Sequence, residues 1–106
     1  VERLRLAFRQ RAETLITVFA DSQAITARMP EGGMFVMLDV RRTKLSGEEF
    51  AWQLLRQENV SVMPGESFGN GGAGHIRIAL TVDSEILRDA CTRIRKLAEK
   101  ICSENN

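Results

Sequence analysis

The stretch MPGESFGNGGAGHIRIAL, Met63 to Leu80, holds two features that compete for the chemistry: a run of glycines, and an arginine set inside an apolar segment. Gly69, Gly71 and Gly74 spell G-x-G-x-x-G, the spacing of a dinucleotide-binding turn. Such a turn works because its glycines lie between a strand and the first turn of a helix, whose free N–H groups then face a pyrophosphate. Here the glycines lead instead into HIRIALT, His75 to Thr81, where Ile76, Ile78 and Leu80 alternate with His75, Arg77, Ala79 and Thr81. That is the period of two of a β-strand. No strand–helix–strand unit surrounds the loop, so the glycines read as a mobile surface or lid loop. The fold must be built around a strand that carries Arg77.

Working outward, VSVM (60–63) predicts a short strand stopped by Pro64 and Gly65. Before it, SGEEFAWQLLRQE (46–58) opens with Ser46 and Glu49 at capping-box spacing and places Phe50, Ala51, Leu54 and Leu55 along a helical stripe. QAITARM (23–29) and MFVMLDV (34–40) predict two strands joined at PEGG (30–33), a hairpin turn. The second run is apolar on both alternating faces, as in a strand covered on both sides. From Arg3 to about Asp21, Leu4, Phe8, Ala12, Leu15 and Phe19 share one helical face, opposite Arg9, Arg11 and Glu13. After Asp83, a predicted N-cap, Ile86, Ala90, Ile94, Leu97 and Ile101 mark a last amphipathic helix. The order helix, hairpin, helix, strand, strand, helix predicts an α+β domain: a small, mostly antiparallel sheet with helices packed on it.

A chain of 106 residues is long enough for one core and too short for two of ordinary size, so 1–106 is taken as a single domain. Its net charge of +1 gives no electrostatic footprint for nucleic acid, and no segment is apolar for long enough to span a membrane. Cys91 and Cys102 fall eleven residues apart on one predicted helix, about 16 Å at 1.5 Å per residue, too far to bridge. Two free thiols without a secretory pattern point to a reducing, cytoplasmic setting. VERLRLAFRQR begins with a helical pattern already under way and no initiator Met, which suggests a segment of something longer.

Arg77 has two readings. His75, Arg77 and Thr81 can form the solvated face of a half-exposed sheet, or Arg77 can clamp a carboxylate ligand in the bidentate geometry that lysine cannot match. Other chemistry has less support. His75 is the single histidine and forms no recognisable arrangement with Ser61, Ser67, Cys91 or Cys102 for nucleophilic catalysis, and one His with two Cys on a helix makes no zinc pattern. Cys91, Phe50 and Trp52 read as core, and Asp39 as structural.

PEGGMFVMLDV, GEEFAWQLLRQENVSVMPGESFG and GHIRIAL, taken in that order, resemble the C-terminal small domain of class I and II aminotransferases, the fold-type I pyridoxal phosphate enzymes. Residues 1–21 are similar to the helix that leads into that domain from the large one. The resemblance implies that Arg77 binds the α-carboxylate of amino-acid and 2-keto-acid substrates. It also implies that Gly32 to Phe35, with Phe35 as a second substrate-binding candidate, lie near the mouth of the active site. Pyridoxal 5′-phosphate would be held by a large domain outside this chain, in a parent enzyme expected to be a homodimer. Lys44, Lys96 and Lys100 match nothing like the family's Schiff-base motif, and there is no tyrosine. The segment alone is therefore expected to be inactive, with no catalytic, cofactor-binding or metal-ligating residue of its own. A lyase, decarboxylase or synthase of the same fold, or a free-standing carboxylate-binding or interaction module, are the alternatives.

Overall fold

A computed structural model describes residues 2–28, 35–81 and 83–105, with the backbone alone for Glu2, Leu4, Arg5, Phe68 and Asn70. Three helices, α1 (Glu2–Phe19), α2 (Gly47–Glu58) and α3 (Ser84–Glu104), accompany four strands, β1 (Thr26–Arg28), β2 (Phe35–Asp39), β3 (Met63–Pro64) and β4 (His75–Ala79). The strands form one antiparallel sheet in the order β1-β2-β4-β3. The predicted α+β class and element order are both present.

Alternation along the two central strands decides which face is covered. Val36, Leu38, Ile76 and Ile78 are buried and join Ala12, Leu15, Phe19, Phe50, Leu54, Leu87, Ile94 and Leu97 from the three helices in one core. The opposite face carries Phe35, Met37 and Asp39 on β2 and His75, Arg77 and Ala79 on β4. Within this chain, therefore, β2 is fully covered on one face only, because all of those β2 residues remain half-exposed. Its apolar second face had suggested two covers.

Local signals explain the helix ends. The Ser46 hydroxyl accepts from the Glu49 N–H while the Glu49 carboxylate accepts from the Ser46 N–H, which completes the predicted capping box. Asn59 closes α2 in the left-handed conformation (φ 57°), a role that suits asparagine. Asp83 caps α3 by accepting from the Glu85 N–H. Helix-end carbonyls that have no partner in their own helix are met by arginines from elsewhere: Arg93 donates to the Glu58 carbonyl at 2.8 Å, and Arg95 to that of Val18 at 2.7 Å.

Several expectations need correction. The strand expected over 60–63 is reduced to Met63–Pro64, so Pro64 belongs to the strand rather than stopping it; at a sheet edge its missing N–H is tolerated. Trp52, read as core, is 55% exposed, and Ile86, read on the α3 stripe, is 63% exposed. Ile86 lies one position off the buried stripe of α3, which runs through Leu87, Cys91 and Ile94, and Trp52 lies two positions from both Phe50 and Leu54, the buried stripe of α2. The PEGG turn and Gly32–Met34 lie outside the described residues.

Candidate functional site

Arg77 sits at the middle of β4, on the face away from the core. The register places it opposite Met37 on β2 and Met63 on β3. Its guanidinium carbon lies 3.9 Å from the centroid of the Phe35 ring, so the two candidate substrate-binding residues are in direct contact. This is a cation–π stack on the guanidinium's flat face, which leaves the geometry of its in-plane N–H donors to other interactions. Arg77 also borders a cleft of about 450 Å³ shared with Val62, Met63, Ile78, Ile86 and Arg93.

On the same face, the Asp39 carboxylate accepts from the Arg41 Nε at 3.0 Å and Nη2 at 2.7 Å, and Arg28 stands 3.9 Å away. Partial burial raises its pKa, but hydrogen bonds from the Arg41 side chain and backbone N–H, with the charge of Arg41, outweigh that and hold it below the usual carboxylate range. The structural reading of Asp39 fits this pairing. His75 is 4% exposed. Its Nδ1 lies 2.8 Å from the Ala73 carbonyl, which can only accept, so the proton is on Nδ1. Its Nε2 is 4.0 Å from Asp39 and has no hydrogen-bond partner among the described residues. The solvated-face reading fails for His75, which is buried.

The glycine run leads into β4 and not into the first turn of a helix, so it lacks the context of a nucleotide cradle, and Gly69 and Gly71 are exposed, as in a surface loop. It folds as two short 3₁₀ turns, Gly65–Phe68 and Asn70–Gly72. A Cβ on Gly72 would fall 1.9 Å from the Gly65 carbonyl oxygen, so Gly65 and Gly72 pack backbone on backbone. At the centre is Glu66, which the sequence reading did not single out. Its Oε2 accepts from the N–H of Gly47 and of Gly74, each at 2.8 Å, and its Oε1 from that of Glu48 at 3.1 Å. Burial raises its pKa, while the bonds from Gly74, Gly47, its own N–H and Glu48 more than offset this and leave it lowered. A carboxylate two residues after a proline, at the head of a glycine-rich run, was the available signal.

Among the described residues no group of His, Cys, Asp or Glu could hold a metal ion, and no helix is long and apolar enough to cross a membrane. Lys44, Lys96 and Lys100 are exposed, and none lies on the sheet face of Arg77. The residues present therefore do not fit a pyridoxal phosphate site of their own. Burial pushes the Cys91 thiol up to about 12, which removes it as a nucleophile.

Comparison with known proteins agrees with this architecture. The family model for aminotransferase class I and II matches residues 1–94. The chain is 44% identical over 98% of its length to the arginine–pyruvate transaminase of Pseudomonas aeruginosa, and 38% identical over 89% to an LL-diaminopimelate aminotransferase of Nitratidesulfovibrio vulgaris. It spans only 26% and 24% of those two proteins. Among solved structures, the aromatic aminotransferase of Pyrococcus horikoshii superposes with a TM-score of 0.85 at 25% identity, covering 94% of this chain and 26% of the other. A helix-covered antiparallel sheet, an arginine strand and a match over most of the chain lead to one conclusion: the chain belongs to the class I and II aminotransferases.

Proposed function

We propose that residues 1–106 are the substrate-clamping small domain of a longer, pyridoxal phosphate-dependent aminotransferase that moves an amino group between an amino acid and a 2-keto acid. The observation that carries this reading is the stacking of Arg77 on Phe35, on the sheet face that no helix covers among the described residues. A guanidinium matches a carboxylate through two parallel hydrogen bonds, and an aromatic ring beneath it limits its rotamers, so less freedom is lost on binding.

The work of this chain's own residues is to bind and orient. Arg77 holds the substrate's α-carboxylate, and Phe35 holds Arg77. Fixing that end of the substrate sets the position of its α-carbon relative to the reacting groups. The cofactor, when bound, supplies the electron sink for the α-carbon, and it is held by the remainder of the parent chain, since no lysine here is placed to hold it. The parent is taken as a cytoplasmic homodimer. The relatives named above include enzymes for arginine and for LL-diaminopimelate, and the α-carboxylate is common to both amino acids.

The test is Arg77→Ala in the full-length enzyme. Loss of one partner of a desolvated charge pair costs about 2–5 kcal/mol, or roughly 30-fold to several thousand-fold in kcat/KM. Unchanged kinetics would remove the clamp.

A further inference from the structure

We propose that Glu66 is the positioning residue for Arg77: its carboxylate sets the placement of β4, and through β4 the height of the guanidinium above Phe35. The inference rests on the clamp reading given above.

One carboxylate ties its own turn to two other segments, the start of α2, 18 and 19 residues away, and the entry to β4, 8 residues away. Oε2 takes the N–H of Gly47, at the first residue of α2, and the N–H of Gly74, the residue immediately before β4; Oε1 takes the N–H of Glu48. Gly74 is thereby held at both of its polar groups, because its carbonyl accepts from the Val40 N–H at 2.9 Å, just past the end of β2. Its φ of +72° is a left-handed conformation, and the space where a Cβ would go is filled by the Arg41 side chain at 2.4 Å. The next residue is clasped as well: a Cβ on Gly47 would meet the His75 carbonyl oxygen at 2.0 Å. The entry to β4 is therefore closed between the start of α2, the 3₁₀ turn of Glu66 and the end of β2.

Arg77 is three residues beyond Gly74. Along a strand, side chains alternate between faces, so any slip of β4 against β2 is transmitted directly to Arg77, and a slip of one residue would turn it into the core. The core side of β4 resists slippage through Ile76 and Ile78, but among the described residues no helix covers the opposite face to do so. There the Glu66 bonds are the device that fixes the strand's start. The positive end of α2 points at the same carboxylate and adds to its hold. Glycine at 47, 65, 72 and 74 is what allows these backbones to approach closely enough for one carboxylate to reach all three donors. The glycine run and the arginine are thus two parts of one site: the loop holds Glu66, and Glu66 holds the strand of Arg77.

The experiment compares Glu66→Gln, Arg77→Ala and Leu54→Ala in the full-length enzyme, measuring KM for the amino acid, Ki for propionate as a plain carboxylate probe, kcat and the thermal midpoint. Glutamine keeps the size of Glu66 but places an amide NH₂ against at least one backbone N–H. The expected result is a rise of about tenfold in both KM and Ki with kcat within about twofold, as a shift of less than an ångström in a binding group predicts. Leu54→Ala, which opens a core cavity on α2, lowers the thermal midpoint and leaves KM in place. If Glu66→Gln does not yield folded enzyme, Glu66→Asp retains the charge with a shorter reach and is expected to show the same split in smaller measure. The inference is overturned if the Glu66 variant that folds leaves KM and Ki unchanged while Arg77→Ala raises them, or if Leu54→Ala raises KM as much. If Arg77→Ala itself leaves both unchanged, the clamp fails and Glu66 has nothing to position.

Discussion

The guanidinium carbon of Arg77 lies 3.9 Å from the centre of the Phe35 ring, across the two central strands of the sheet. Register pairs Phe35 with Ala79 and Arg77 with Met37, so the stack is a diagonal contact on the open face. It can be separated from the charge itself. Phe35→Leu keeps an apolar floor but removes the quadrupole, which is worth about 0.5–2 kcal/mol in such pairs. Steady-state kinetics of the full-length variant should show KM raised by about 2- to 30-fold with kcat little changed. Arg77→Lys should be worse, because an ammonium cannot make the two parallel bonds. A Phe35→Leu enzyme with wild-type KM would leave the ring without a role in binding.

The glycines divide into those that pack and those that do not. A methyl group on Gly47 would lie 2.0 Å from a backbone oxygen and one on Gly72 would lie 1.9 Å from another, whereas nothing stands within 4 Å at Gly71. Gly47→Ala and Gly72→Ala should each destabilise the domain by about 1–3 kcal/mol or more, as overpacking against a rigid neighbour does. Gly71→Ala should fall within about 0.5 kcal/mol of the parent. Thermal melts of the three variants check this. Equal midpoints for all three would mean that the loop yields freely.

These contrasts mark what the sequence could and could not convey. Periodicity located all three helices, because Ala12, Leu15, Phe19, Phe50, Leu54, Ile94 and Leu97 recur at helical spacing and do form the core. The strand of Arg77 was legible for the same reason, through Ile76 and Ile78. Glu66 was not, since its three donors come from Gly47, Glu48 and Gly74, up to 19 residues away, and no local pattern encodes that meeting. Trp52 and Ile86 were misplaced because each is only one or two residues from a buried position, and hydrophobicity alone does not resolve rotations of about 100° per residue. The site was half legible: family resemblance pointed to Arg77 and Phe35, and their stacking required coordinates.

Acid should weaken the fold in part through Asp39. Its carboxyl is held below the ordinary value by Arg41, so the folded state binds the proton less readily than the unfolded one. The stabilisation is then complete above the unfolded pKa, about 3.9, and is lost as pH falls through the lowered folded value. Asp39→Asn should flatten that part of the acid limb when the unfolding midpoint is followed from about pH 5 downward. An Asp39→Asn profile parallel to the parent's would show that the pair with Arg41 contributes nothing to the linkage.

The two thiols should differ in reactivity. Cys91 is buried at 1% exposure with its pKa pushed up to about 12, while Cys102 is half-buried and donates to the Arg42 carbonyl at 3.4 Å. Burial also raises the Cys102 pKa, partly countered by the charge of Arg42. Since the thiolate is the reactive form, both are slow, but reagent can reach only Cys102 without unfolding. Iodoacetamide at pH 8 followed by mass spectrometry should label Cys102 first and Cys91 only in denaturant. Early labelling of Cys91 would mean that α3 opens locally.

The exposed edge gives the last contrast. Trp52 is 55% exposed on α2, two residues after Phe50, which is fully buried in the core. If exposure decides the energetics, Trp52→Gln should change stability by no more than about 0.5 kcal/mol, and Phe50→Ala should cost about 3–5 kcal/mol. Trp52, Leu55, Met63 and Ile86 are all large apolar residues at 40% exposure or more, and Ser61 and Val62 border both clefts that they line. Apolar surface left open in this way favours self-association of the isolated domain. Sedimentation of the 106-residue chain should therefore show oligomers that Trp52→Gln with Ile86→Gln reduces, while the thermal midpoint stays in place. A large loss of stability in Trp52→Gln would return the ring to the core and overturn the exposed-edge assignment.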